Sequence, residues 1–96
     1  MVDAADRLRA QILRDLRALL AQDEKQPDAT IRLGAEVRLA LETAIAQIEA
    51  DRWQAAHDSI RAVFEGPIHP PYRKRLERDL VDLTEGARLR GVDILV

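Results

Sequence analysis

The sequence predicts an all-α fold: a small four-helix bundle or helical-hairpin array, with three long helices and one short one. Three observations carry this expectation. Ala, Leu, Arg, Glu and Gln, all strong helix formers, dominate the chain. Turn formers are scarce, with four Gly, four Pro, one Ser and no Asn, too few for many short strands. Apolar residues also recur at three- and four-residue intervals in separate stretches, the signature of amphipathic helices.

The first helix is expected over residues 3–22, where Ala5, Leu8, Ile12, Leu16, Leu19 and Leu20 form one stripe. Asp3 and Asp6 lie at its amino end, where the helix dipole favours acid. Asp3 and Arg7 are spaced for an i,i+4 pair. The run DEKQPD then breaks the pattern, and Asp28 or Thr30 can cap the next helix.

The second helix is expected within residues 31–50, on a stripe of Leu33, Val37, Leu41, Ala44, Ile45 and Ile48. Gly34 leaves its start open by several residues. Leu39 and Ile31 point elsewhere, an apolar girdle suited to a helix packed on two sides or at a subunit interface. Arg32–Glu36 and Arg38–Glu42 are spaced as ion pairs.

The third helix is short, with Asp51 as its expected N-cap and Gly66–Pro67 as its stop. Trp53, His57, Ile60 and Phe64 share one face, flanked by Ala56 and Val63. His57 therefore lies on the packing face, and the concentration of distinctive residues marks a hairpin corner. The fourth helix opens at Pro70–Pro71, which suit a first helical turn, and can end at Gly91. Leu76, Leu80, Leu83 and Ala87 form its stripe, and Arg73–Glu77, Arg75–Asp79 and Arg78–Asp82 are spaced to pair along its surface.

Composition narrows the function classes. Ninety-six residues make one domain, which buries roughly 60–65% of its unfolded surface, so stability is thin or shared with a partner. The net charge is −2 and the two halves carry it evenly, with 7 basic and 8 acidic groups in residues 1–48 and 8 and 9 in residues 49–96. That removes the usual reason to expect general nucleic-acid or membrane binding. Without cysteine there is no disulfide scaffold and no thiolate zinc site. Two histidines lacking H-x3-H or E-x-x-H spacing predict no metal site, and four scattered glycines make no phosphate loop. No cofactor is expected. The acidic, amphipathic start does not read as a signal peptide and no apolar run reaches membrane length, so a cytoplasmic location is the expectation.

The turn ADRWQAAHDSI resembles the inter-helix corner of a tetratricopeptide repeat, where a small residue and an aromatic precede a helix whose first turn carries Ala, as Trp53 and Ala56 do. The likeness covers about one repeat. It departs at Thr43, where a large apolar residue is usual, and at Asp51, where Gly is usual. Solenoids of this kind need several copies, so it is read as shared corner geometry. The run RWQAAH also resembles the arginine–four-residue–histidine motif of the HEPN ribonucleases. That resemblance implies Arg52 and His57 as a catalytic pair acting on RNA. Here Arg52 falls at a helix start, whereas the family's motif lies well inside a later helix.

Two further features bear on partners. YRKRLER places Arg73, Lys74, Arg75 and Arg78 near a helix amino end, where the dipole disfavours them. Either pairing with Glu77, Asp79 and Asp82, or a partner's acidic groups or a phosphate backbone, offsets that cost. Residues 92–96 form an apolar tail with Val92, Ile94, Leu95 and Val96, which an isolated soluble monomer would not expose. The expected function is thus a small, non-catalytic helical protein-interaction module, self-associating as a dimer through residues such as Leu39, Ile94 and Leu95. A HEPN-like ribonuclease and a nucleic-acid-binding regulator using the Arg73–Arg78 strip are the alternatives.

Overall fold

A computed structural model describes residues 2–96 as four helices: α1 (Ala4–Glu24), α2 (Ala35–Glu49), α3 (Trp53–Val63) and α4 (Pro70–Leu89). The described residues contain no strand, and the molecule is a small all-α bundle. α1 packs against α2 and α4, and α3 packs against the same two, so the helices form a ring in chain order. Contacts fix the directions. Asp6 at the start of α1 pairs with Arg90 just past α4, and Asp15 pairs with Arg75, so α1 and α4 are antiparallel. Arg38 of α2 reaches back to Glu24 at the end of α1, which makes that pair antiparallel too.

The apolar stripes meet at the centre. Ile12, Leu16 and Leu19 from α1, Leu41, Ala44 and Ile48 from α2, Ile60 from α3, and Leu76 and Leu83 from α4 are all fully buried. Aliphatic side chains supply nearly all of this core; Trp53 and Tyr72 are its two large aromatics. Among the described residues no helix is long and apolar enough to cross a membrane.

Helix ends explain the corners. The Asp3 side chain caps α1, its Oδ1 accepting from the Asp6 N–H at 2.8 Å. Asp28 does not cap α2; it closes a turn with Thr30 inside the connecting loop, and α2 begins at Ala35 with Gly34 as N-cap. Asp51 is not the N-cap of α3 either. It sits just past the end of α2 with φ 58°, while the Arg52 N–H bonds to Gln47 O at 2.8 Å and the Asp51 N–H to Ile48 O at 3.1 Å. This is a Schellman turn, and it asks for a left-handed residue at position 51. Asp is among the few non-glycine residues that enter that region readily. Gly91 ends α4 the same way, with φ 78° and the Val92 N–H on Ala87 O at 2.8 Å.

The Asp51 carboxylate also lies 3.6 Å from Arg9 and from Arg90, where the two chain ends and the α2–α3 corner converge. Asp51→Gly keeps the turn and loses only exposed ion pairs, whereas Asp51→Ala loses both. Ala is therefore expected to be the worse replacement by about 1 kcal/mol, the reverse of their order in a helix interior. Urea midpoints of the two variants test this, and an Ala variant as stable as the Gly variant would count against it.

Candidate functional site

α3 is short and buries one face through Trp53, Ala56, His57, Ile60 and Val63. His57 is only 4% exposed, with Nδ1 3.3 Å from Asp58 Oδ1. Its ring edge borders a shallow groove between α3 and α4, lined also by Arg61, Leu80, Val81, Thr84 and Glu85. Arg52 is the exposed N-cap residue before the helix, and it does not line that groove. The arginine that shares the groove with His57 is Arg61, one helical turn further on. Arg52 and His57 thus do not share this groove. Ser59 is engaged elsewhere, donating to Gln47 Oε1 at 2.7 Å.

The apolar tail is partly accounted for within the chain. Val92 and Ile94 pack against the core. Gln54 of α3 holds the tail by its backbone: the Leu95 N–H donates to Gln54 Oε1 at 2.8 Å, and Gln54 Nε2 donates to Leu95 O at 3.0 Å. The Leu95 side chain remains 77% exposed. Gln54 lies one turn before His57, so the clamped tail reaches the α3–α4 face near the groove. Val81, 68% exposed, lies in the groove itself. Leu39 is also exposed, but it sits on α2, which does not touch α4. Leu39 therefore lies on a helix apart from the α4 side of the groove.

The basic run of α4 is divided. Arg73 lies over the Phe64 ring at 4.9 Å and pairs with Glu77 at 3.1 Å. Arg75 turns to α1, bonding Asp15 at 3.0 Å and Gln22 Oε1 at 2.8 Å, and not to Asp79. Lys74 and Arg78 are exposed and, among the described residues, lie within 4.0 Å of no carboxylate. Arg78 lines a second groove between α1 and α4 with Gln11, Arg14, Ala18, Asp15, Asp79 and Asp82. Arg73 thus faces α3 while Arg75 and Arg78 face α1, and the four cations form no single strip.

Asp79 is the unexpected member of that second groove. It is 3% exposed and its Oδ2 has no hydrogen-bond partner. Burial, then the adjoining Asp15, pushes its carboxyl up to about 9. Asp15 is itself partly buried, which opposes ionisation, but its contacts with Asp79 and Arg75 hold it below the usual carboxylate range. Asp79 therefore keeps its proton to a higher pH than an ordinary carboxyl, while Asp15 gives its proton up more readily. An unfolded Asp titrates near 3.9, so between about 4 and 9 the folded chain binds the extra proton. Asp79's contribution to stability is then complete below pH 4 and is lost as pH rises through 9. Asp79→Asn removes that dependence. It is expected to exceed the wild type by about 1–3 kcal/mol near pH 8, with the gain fading toward pH 4. Urea midpoints at the two pH values check this; an equal gain at both would dismiss the raised titration of Asp79.

Some of these residues carried a readable signal. Asp79 lies between Leu76 and Leu83 at i+3 and i+7, a core position by spacing, yet its charge suggests a surface pair with Arg75. Leu80, Val81 and Leu83 cannot all face one stripe, which marks Val81 as outward. Nothing local marks Gln54 as a clamp, because its partner lies 41 residues away. No family model, no curated protein and no solved structure matches the chain.

Proposed function

We propose that this chain is a small cytoplasmic docking module that recognises protein through the outer face of α3 and α4, with the clamped tail beside it. The supporting observation is the exposure of Val81 in a groove floored by Leu80, close to the tail that Gln54 presents. The core is already closed by the inward stripes, so covering Val81 adds nothing to the isolated fold. On a partner it adds up to about 1.5–3 kcal/mol for a fully buried aliphatic side chain. The groove's other walls are a buried histidine edge and short or charged side chains, a surface shaped for a helix more than for a small molecule.

Site-specific photo-crosslinking in the native host tests this reading. A photoreactive residue at position 81 is expected to capture a discrete protein, whereas the same group at position 39 captures none. Adducts from position 39 alone, or none from either, would defeat it.

A further inference from the structure

We propose that the occupant of this face is a second copy of the chain, with its α4 packed antiparallel against the first across a two-fold axis. This rests on the docking reading above and names its partner. Glu77, Val81, Thr84 and Arg88 follow one another along the exposed side of α4 at i, i+4, i+7 and i+11, a single outward stripe. Its chemistry runs acid, apolar, apolar, base. Thr84 counts as apolar because its Oγ1 donates back to Leu80 O at 2.9 Å, which satisfies the hydroxyl and leaves the methyl for contact.

Such a stripe is complementary to itself when reversed. With the axis between residues 81 and 84, Val81 meets the second copy's Thr84, and Glu77 meets the second copy's Arg88, each contact occurring twice. Two alternatives are less favourable. Parallel packing sets like against like, and an antiparallel axis through Val81 brings Glu77 toward the second copy's Glu85.

Charges already present on the stripe then link up. Arg73 pairs with Glu77, and Arg88 with Glu85, within one chain. Dimerisation joins these exposed pairs into one four-member network at each end of the seam, where a network counts for more than isolated pairs. The short side chains at the centre allow helix axes to approach within the usual 8–10 Å.

The test uses charge reversal in the full chain, read by sedimentation velocity at micromolar concentration, with circular dichroism confirming helicity. Wild type is expected to be a dimer. Glu77→Arg alone sets Arg against Arg, and Arg88→Glu alone sets Glu against Glu, so each is expected to weaken self-association by about tenfold or more. An equimolar mixture of the two variants restores opposite charges at both ends and is expected to dimerise, as is the double variant. Val81→Asp is expected to be monomeric. A wild-type monomer, or variants that stay monomeric when mixed while folded, overturns the proposal. Should position 81 then still crosslink a different protein, the docking reading stands and the self-pairing alone falls.

Discussion

Trp53→Ala is expected to cost about 3–5 kcal/mol, a large share of the 5–15 kcal/mol available to a domain. Trp53 is 2% exposed at the first position of α3, and its six-membered ring faces Gly86 of α4. A Cβ placed on Gly86 would come 2.6 Å from Cζ3 and 2.8 Å from Cη2 of that ring. Indole and glycine are therefore a matched pair: the absent side chain on α4 is the space the ring fills. Gly86→Ala is accordingly expected to destabilise by about 1–3 kcal/mol through overpacking, despite Ala's better helix propensity. In the Trp53→Ala background the same methyl enters a cavity, so the double variant should lose less than the two single losses combined. The indole N–H has no partner in its buried site. Trp53→Phe removes that cost and should be milder than its lost area suggests. Urea unfolding of the four variants measures all of this. An unchanged midpoint for Trp53→Ala would take the residue out of the core.

The same contact matters for the docking face. Trp53 fixes the start of α3 against the end of α4, and Gln54, the next residue, holds the tail by two hydrogen bonds. Loosening α3 should free Leu95 before the rest of the bundle opens, since its side chain is exposed and the Gln54 pair of bonds holds its backbone. The tail is only half covered by its own bundle. Four apolar residues near the chain end argue for a covering partner, yet Val92 and Ile94 find that cover on their own bundle. Leu95 stays exposed, as does Val81 within α4.

Helical periodicity made the four stripes legible, because 3.6-residue spacing is a property of each helix alone. The left-handed turn at Asp51 was half legible: the corner resemblance expects Gly there, and the structure needs a residue with glycine-like freedom. What periodicity could not give was the partner of each charge. Arg75 has Asp79 at i+4 but bonds Asp15 on α1, and Arg38 has Glu42 at i+4 but bonds Asp23 and Glu24. An exposed i,i+4 pair contributes only a few tenths of a kcal/mol. A charge-assisted bond to a neighbouring helix in a partly buried setting is stronger, and tertiary geometry overrides local spacing.

Asp23 brings these points to their sharpest test. It follows Leu16, Leu19 and Leu20 on the inward stripe of α1 and is fully buried, a carboxylate where spacing calls for an aliphatic side chain. Its Oδ1 accepts from the Leu33 N–H at 2.9 Å, and its Oδ2 meets Arg38 Nη1 at 2.8 Å. One side chain thus ties down the loop before α2, whose own N-cap, Gly34, offers no side-chain acceptor. Asp23→Ala strands the Leu33 amide and leaves the half-buried Arg38 with only the exposed Glu24 for a carboxylate partner. The expected loss is about 3–5 kcal/mol, the range for breaking one side of a buried ion pair. Asp23→Asn keeps an acceptor for Leu33 while giving up the charge, and should lose about 1–3 kcal/mol. Replacing both partners, Asp23→Leu with Arg38→Leu, should recover most of the Ala variant's deficit, because no charge is then left unpaired in the interior. Urea midpoints give the ranking, and hydrogen exchange at the Leu33 amide reports the loop directly. Equal losses for Ala and Asn, or a double variant worse than Asp23→Ala, would show that the carboxylate is not what holds α2 to α1.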